Sequence, residues 1–214
     1  MKIKSLFLGL TFSVSLYAAD KYSNPVIDYS LPDPSIIKGE DGYFYLYATE
    51  DIRNLPIHRS KDLVNWEFVG TAFTDATRPD FEPEGGIWAP DINKIGNKYV
   101  LYYSMSVWGG EWTCGIGCAV ADRPEGPFKD CGMMFRSNGI KVQNSIDPFY
   151  IEEDGRKYLF WGSFRGIYAI ELSKDGLTVK AGHSCSDCWN CIRGNVYSQA
   201  WRLLLYVCFD WQLL

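Results

Sequence analysis

The sequence predicts an all-β fold of the β-propeller type. After residue 20, no stretch keeps the 3.6-residue apolar period of an amphipathic helix, whereas short aromatic and β-branched runs recur between Gly, Asp, Asn and Pro. Such runs are typical of strands and turns. Three of them, at residues 33–49, 90–104 and 147–163, are copies of one unit. A repeat every 50 to 60 residues, roughly, with about four strands per unit indicates propeller blades.

The amino-acid composition limits the classes of protein to which the chain can belong. The chain has 214 residues, of which 47% are hydrophobic and 22% charged, so it is globular, and its length predicts one domain or slightly more. Its net charge of −5 offers no electrostatic footprint for nucleic acid. Because His58 and His183 are the only histidines, we predict no multi-histidine metal centre and no cofactor. The aromatic content of 16% favours strands and also supplies flat platforms for sugar rings.

The N-terminal segment, residues 1–19, is predicted to be a secretory signal peptide. Lys2 and Lys4 precede an apolar run at residues 6–16, and small residues follow at the predicted cleavage site. Asp20 and Lys21 end the run before the about 20 apolar residues that a membrane span needs. We therefore expect a secreted or periplasmic protein that has no membrane segment after cleavage.

Each repeated unit has the same internal order. An acidic residue beside a proline precedes a short apolar strand, a polar turn with glycine and a second aromatic strand. Further strands are predicted between the copies, at residues 55–59, 66–70, 114–121 and 167–172. The alternative is an ordinary β-sandwich, since sandwiches also consist of many short strands.

Three aspartates occupy equivalent positions at the starts of the units: Asp33, Asp91 and Asp147. In a propeller the first strand of each blade lines the central channel, so these carboxylates are expected to converge at one end of it. Carboxylates held together in a partly dry funnel repel one another and have perturbed pKa values, which marks a candidate site. The alternative for any single Asp-Pro pair is turn initiation.

Four motifs resemble glycoside hydrolase family 43. They are LPDPSII (31–37), WAPDI (88–92), NSIDPF (144–149) and WGSFRGIYAIELSKDG (161–176). The resemblance implies a five-bladed β-propeller that cleaves arabinan or xylan, of which residues 20–182 would form about three blades. The last two motifs favour the arabinan-cleaving members. An arabinan or arabinoxylan polysaccharide, or an oligosaccharide derived from it, is the partner that the resemblance implies.

The resemblance also implies roles for individual residues. Asp33 matches the general base that activates water, and Asp147 matches the second aspartate, which raises the pKa of the general acid and orients it. Family members invert the anomeric carbon, which requires an acid and a base roughly 6.5–9.5 Å apart. Trp88 is a candidate stacking platform, with a core aromatic as the alternative. The expected substrate-binding residues are Trp88, Asp91, Gly117, Asn144, Ser145, Ile146, Ser163, Phe164 and Arg165.

The general acid of the family, a Glu that opens the fourth blade before a Gly, has no match in this sequence. The last glutamate, Glu171, lies in a strand of the third unit, and Glu84 and Glu125 precede a glycine in the wrong blade. Residues 183–214 contain four of the seven cysteines, and we expect them to be an out-of-frame tail. Codons read one nucleotide later permit an acidic residue, a strand, a glycine turn and YYYMFAS, which matches YLFWGS of the third unit. The alternative is a zinc site at the CxxCxxC spacing of residues 185–191.

These observations predict a glycoside hydrolase by ancestry, C-terminally truncated and inactive for lack of its acid. The alternatives are a glycan-binding propeller without activity and a protein-interaction propeller without a sugar site. The sequence leaves open the exact glycan, internal or terminal cleavage, a channel metal ion and the oligomeric state. It also leaves open whether two of Cys114, Cys118 and Cys131 form a disulfide.

Overall fold

The computed structural model describes residues 22–163 and 166–182, which form three antiparallel sheets in chain order. Sheet 1 contains β1 (Ser35–Lys38), β2 (Phe44–Tyr47), β3 (Pro56–Ser60) and β4 (Trp66–Thr71). Sheet 2 contains β5 (Gly86–Ile95), β6 (Lys98–Ser106), β7 (Gly115–Ala121) and β8 (Lys129–Arg136). A single-turn helix, α1 (Ser137–Ile140), leads to sheet 3, with β9 (Phe149–Glu153), β10 (Arg156–Ser163) and β11 (Gly166–Glu171).

The predicted all-β class is confirmed, and each repeated unit begins one sheet. The strand predicted at 66–70 is β4, and that predicted at 167–172 is β11, each within one residue at its ends. Strand β5 begins at Gly86, four residues before the predicted start of its unit. Neither β8 nor α1 was predicted from the sequence.

The first strands of the three sheets lie side by side, with β5 in contact with β1 and β9. The amide of Ile92 in β5 donates a hydrogen bond of 3.1 Å to the hydroxyl of Ser35 in β1. On the other side, the amide of Tyr150 in β9 donates one of 2.7 Å to the Asp91 carboxylate. The starts of the three sheets therefore share one end of the assembly.

The core consists of two clusters, one on each face of sheet 2. Successive side chains of a strand point to opposite faces. In β6, Leu101 and Tyr103 pack against sheet 1, whereas Val100 and Tyr102 pack against sheet 3. All four are at most 2% exposed, and burial of side chains of this size contributes about 1.5–3 kcal/mol each. Sheet 2 is therefore the central layer.

The face of sheet 1 that points away from sheet 2 is only partly covered by the described residues. The strand register places Ile36, Leu46, His58 and Phe68 in one row across it, and Ile36 and Phe68 are about half exposed. The segment before β1 crosses this face, where the Tyr29 hydroxyl forms a hydrogen bond of 2.5 Å with Nε2 of His58. Burial lowers the pKa of His58, so the imidazole is kept neutral beneath the segment.

The predicted signal peptide (1–19) and the predicted tail (183–214) lie outside the described residues, as do Phe164 and Arg165. In the part of the chain that the structure describes, no helix combines the length and the apolar character needed to cross a membrane.

Candidate active site

Asp33 lies immediately before β1, and its carboxylate is held by a neighbouring hydroxyl. Its backbone is left-handed, with φ of 50°, a conformation that aspartate tolerates better than most residues. The β1–β2 hairpin returns the chain so that Thr49 lies opposite. Oγ1 of Thr49 donates a hydrogen bond of 2.6 Å to Oδ2 of Asp33, and the Thr49 amide donates one of 2.9 Å to the carbonyl of Pro32. The carboxylate is therefore oriented before a ligand arrives.

Asp147 occupies the same position before β9. Its φ of 59° repeats the left-handed backbone of Asp33. The Asp147 amide donates a hydrogen bond of 2.9 Å to Oγ of Ser104, a buried residue of β6. Sheet 2 thus fixes the backbone from which the Asp147 carboxyl projects.

Residues 88–89 of β5 link the two aspartates. The Ala89 amide donates a hydrogen bond of 2.7 Å to Oγ1 of Thr49, the same hydroxyl that donates to Asp33. Trp88 is paired in the β5–β6 ladder with Ser104, which holds Asp147. The register shifts between Trp88 and Asp91, so this part of β5 bulges at the mouth of the assembly.

The pKa of Asp147 is raised to about 6, first by burial and then by the negative charge of Asp33. The side chain reaches solvent at the mouth, while protein on its other sides removes much of the water that would stabilise the charge. The hydrogen bonds through Thr49, Ala89 and Ser104 place both carboxyl-bearing residues at the same end of the three sheets. The structure therefore brings together the two residues that the sequence analysis placed at one site.

A second indole lies beside Trp88. The ring centroids of Trp88 and Trp108 are 5.5 Å apart and the rings are tilted by 47°. Trp108 follows β6 and is 95% exposed, which is unusual for so large an apolar side chain. Sequence reasoning missed Trp108, although its place between a predicted strand and the glycine pair Gly109-Gly110 could have marked it as a loop aromatic.

Asp91 has a different placement from the other two aspartates. It lies within β5, not at its start, and its Oδ2 accepts hydrogen bonds of 2.7 Å from the Tyr150 amide and 2.8 Å from Nδ2 of Asn93. Burial raises the pKa of Asp91 to about 6, against the lowering effect of these two hydrogen bonds. The side chain ties sheet 2 to sheet 3, which is a structural contact.

The segment 144–147 is held from three sides. Asn144 (φ 60°) donates its amide to the carbonyl of Glu111 at 2.7 Å. Ser145 is fully buried, and its hydroxyl accepts a hydrogen bond of 3.2 Å from Nε1 of Trp161. The carbonyl of Ile146 accepts one of 2.9 Å from the Gly162 amide. Ser145 and Ile146 thus supply the framework on which Asp147 is mounted.

Gly117 has a packing role. A Cβ at this position would lie 2.5 Å from the hydroxyl oxygen of Tyr103, with which Gly117 is paired across the β6–β7 ladder. That hydroxyl donates a hydrogen bond of 2.6 Å to Oδ1 of Asp130. Glycine is required here because the tyrosine ring occupies the space of a side chain.

Ser163 ends β10, and its neighbours Phe164 and Arg165 lie outside the described residues. Across residues 22–163 and 166–182, no three His, Cys, Asp or Glu side chains are grouped so that they could hold a metal ion.

A buried ion pair supports the site from behind. Glu50 follows Thr49, and its two carboxylate oxygens accept hydrogen bonds from the two terminal nitrogens of Arg78. The side chains of Glu50 and Arg78 are only 8% and 10% exposed. Oε1 of Glu50 also accepts a hydrogen bond of 2.8 Å from the Ile87 amide, next to Trp88. The pair therefore fixes β5 against the Thr49 loop.

Comparison with known sequences finds a family match and relatives that are named as arabinan-cleaving enzymes. The family described as Glycosyl hydrolases family 43 matches residues 22–194. The extracellular endo-α-(1→5)-L-arabinanase 1 of Bacillus subtilis is 36% identical over 153 residues, covering 67% of this chain and 47% of its own. The arabinan endo-1,5-α-L-arabinosidase A of Aspergillus niger is 32% identical over 144 residues, covering 65% and 44%. The chain thus spans about half the length of the curated relatives it matches.

Solved structures agree with the sequence relatives. The α-L-arabinanase of Cellvibrio cellulosa, complexed with arabinohexaose, superposes with a TM-score of 0.62 at 30% identity, over 72% of this chain and 51% of that one. Native Bacillus subtilis arabinanase gives a TM-score of 0.62 at 31% identity, over 72% and 56%. These neighbours are five-bladed β-propellers. The predicted propeller class is confirmed, and the three sheets correspond to about three of its blades.

Proposed function

The chain belongs to family 43 of the glycosyl hydrolases, and from that membership we propose that its mouth binds α-1,5-linked arabinan and carries the water-activating side of a hydrolytic site. The observation that carries the proposal is the set of contacts through Thr49, residues 88–89 and Ser104 that brings Asp33 and Asp147 to the same end of the three sheets. The relatives named above are arabinanases, and one of them holds arabinohexaose. These names support arabinan over other plant polysaccharides as the substrate class.

In this proposal Asp33 is the general base. Thr49 occupies its Oδ2, which leaves Oδ1 to accept the proton of a water molecule that attacks the anomeric carbon. Attack from that side inverts the carbon, provided that an acid lies roughly 6.5–9.5 Å away, across the bond that is cleaved. Asp147, whose raised pKa of about 6 keeps part of its population protonated near neutrality, orients and tunes that acid.

The acid itself is the component for which residues 1–214 offer no match. Glu171, the last glutamate in the sequence, lies in β11 and forms ion pairs with Arg156 and Lys180. The hydrogen bond from Arg156, with that from Lys180, lowers the pKa of Glu171 to about 2, so this carboxylate stays ionised and cannot donate a proton. We infer that the chain hydrolyses unactivated arabinan about 10²–10⁴ times more slowly than a relative that has its acid.

Two substrates test the proposal on the purified chain. Linear arabinan needs protonation of its leaving oxygen, whereas p-nitrophenyl α-L-arabinofuranoside has a leaving group that departs without it. We expect slow release of reducing sugar from arabinan and faster turnover of the aryl glycoside. Turnover of the aryl glycoside should be lost in Asp33→Asn. Failure of arabino-oligosaccharides to bind in calorimetry would contradict the proposed site. Cleavage of arabinan as fast as by a relative that has its acid would contradict the proposal that this chain lacks a general acid.

A second candidate is a glycan-binding protein without activity, which the Trp88–Trp108 pair favours. Two indoles at the mouth, one of them 95% exposed, provide a surface on which sugar rings stack. This candidate predicts that arabino-oligosaccharides bind while the aryl glycoside is not turned over. The aryl glycoside assay therefore separates the two candidates.

We also propose that the chain is exported. The Bacillus subtilis and Thermotoga petrophila relatives are named extracellular, and residues 1–19 have the signal-peptide pattern. Intact-mass measurement of the exported protein tests this, because cleavage after Ala19 leaves Asp20 as its first residue. An exported protein that retains Met1 would contradict the proposed cleavage.

A further inference from the structure

Two cysteines lie on adjacent strands of sheet 2, at a β-bulge. The β7–β8 ladder pairs Cys118 with Gly132 and Ala119 with Asp130, which leaves Cys131 as the extra residue on β8. Gly132 has a φ of 91°, in the left-handed region that favours glycine. Cys131 therefore lies next to the residue directly opposite Cys118, within the separation that antiparallel neighbours allow for a disulfide.

The two thiols also influence one another. Burial raises the pKa of both, and the nearby Cys131 raises the pKa of Cys118 further. Cys118 packs in the core cluster between sheet 2 and sheet 3, and the negative charge of Asp175, in the turn after β11, raises both pKa values as well. Cys118 is buried, with its Sγ 3.4 Å from the carbonyl of Leu177, whereas Cys131 is exposed.

Cys114, the third cysteine of the described residues, contacts other groups. Sγ of Cys114 is 3.1 Å from Oγ of Ser137 and 3.5 Å from the carbonyl of Glu111. It is buried immediately before β7, whereas Cys118 lies in the middle of that strand. The contacts therefore distinguish among the three cysteines, which spacing in the sequence does not.

We propose that Cys118 and Cys131 form a disulfide when the chain meets a disulfide oxidant. The exposed Cys131, as its thiolate, attacks one sulfur of the oxidant disulfide, which forms a mixed disulfide and releases one thiolate. The Cys118 thiolate then attacks the sulfur of Cys131 and releases the second thiolate. The two cysteines lose two protons and two electrons, and the oxidant is reduced to two thiols. The bond fastens β8, the outermost strand of sheet 2, to β7.

Peptide mapping of the full chain tests the pairing. The chain is incubated with oxidised glutathione at pH 8.5, where more thiolate forms, then alkylated and digested with trypsin without reduction. Because Arg123 precedes a proline, trypsin leaves residues 99–129 as one peptide, with Cys114 and Cys118, and residues 130–136 as another, with Cys131. We expect these two peptides to be joined and to separate on reduction.

Two variants identify which cysteines form the disulfide. The joined pair should persist in Cys114→Ser and disappear in Cys131→Ser, whose substituted residue is exposed so that folding is retained. The oxidised wild-type chain should also melt roughly 5 °C above Cys131→Ser, a difference that reduction removes. Alkylation of both Cys118 and Cys131 after oxidation, or linkage of either one to another cysteine, would overturn the proposal.

Discussion

Asp147 and Asp33 lie at the same end of the three sheets, and the pKa of Asp147 rises to about 6 because burial and then the charge of Asp33 disfavour its ionised form. The two residues begin different sheets, and each has a left-handed backbone before a proline. The first and third copies of the repeated unit therefore place an aspartate at the same end of the assembly. The coupling can be measured without any substrate.

Replacement of Asp33 should lower the pKa of Asp147. In Asp33→Asn the neighbouring negative charge is gone while the burial of Asp147 remains, so its pKa should fall below 6 and stay above the ordinary value of 3.8. Carbonyl-carbon NMR titration of the Asp147 side chain measures this. Asp154→Asn, in the β9–β10 turn at the other end of sheet 3, is the matched control and should leave the titration unchanged. An unshifted midpoint in Asp33→Asn would contradict the coupling.

Thr49 should stabilise both Asp33 and β5. Its hydroxyl donates to Asp33 and accepts from the Ala89 amide, so Thr49→Val leaves two polar groups without partners. We expect the free energy of unfolding to fall by about 1–3 kcal/mol, as measured by urea denaturation. Thr49→Ser keeps the hydroxyl and should recover most of this loss. A loss in Thr49→Ser as large as that in Thr49→Val would contradict the role assigned to the hydroxyl, because serine keeps it.

The pH dependence of stability should report on Asp91. Its pKa of about 6 in the folded chain lies above the ordinary 3.8, so between these values the folded state binds more protons than the unfolded state. The stability that this proton contributes is complete below pH 3.8 and is lost as the pH rises through 6. Asp91→Asn has no such proton, and its side-chain oxygen can still accept from the Tyr150 amide.

The free energy of unfolding of Asp91→Asn, minus that of the wild-type chain, should therefore rise between pH 4 and pH 6 and level off above that. Urea denaturation of both proteins from pH 4 to pH 8 measures the difference. His58, whose pKa burial lowers, is present in both proteins, so its contribution cancels. A difference that is constant with pH would contradict the raised pKa.

Most of the fold could be predicted from local patterns in the sequence. The aromatic run of β6 predicts a strand because its side chains alternate between two buried faces, and the Asp-Pro pairs of the first and third units precede the first strands of sheets 1 and 3. Asp91 was misplaced because a bulge after Trp88 shifts the β5 register, and no single-sequence signal reveals an irregular ladder. Its pattern matches that of Asp33, but its carboxylate turns to the neighbouring sheet.

The support of the site could not be predicted for a different reason. Glu50 and Arg78 lie in separate loops, and only the tertiary fold brings their side chains together. Trp108 has no periodic neighbours that identify its environment, so its exposure becomes visible only in three dimensions. Residues that act through long-range contacts thus cannot be predicted from sequence spacing, whereas residues in repeated motifs can.

The two indoles at the mouth should differ in what they contribute. Trp108→Ala removes an exposed ring and should leave the melting temperature unchanged, while the affinity for arabino-oligosaccharides falls roughly two- to tenfold, the equivalent of about 0.5–1.5 kcal/mol of stacking. Calorimetric titration measures this. Phe68→Ala, at a half-exposed aromatic residue on the outer strand of sheet 1, is the control and should bind as the wild type does. Unchanged affinity in Trp108→Ala would remove this residue from the sugar site.

Among the contacts that support the site, the Glu50–Arg78 ion pair should be the most sensitive to substitution. Arg78→Met leaves the buried Glu50 carboxylate without its cation, so the free energy of unfolding should fall by about 3–5 kcal/mol. The double variant Glu50→Gln/Arg78→Met removes the charge as well, while the amide oxygen still accepts from the Ile87 amide. It should be more stable than Arg78→Met alone, since no uncompensated charge remains. Urea denaturation of the three proteins measures the order, and a double variant no more stable than the single one would show that the loss comes from packing around Arg78 and not from the isolated carboxylate.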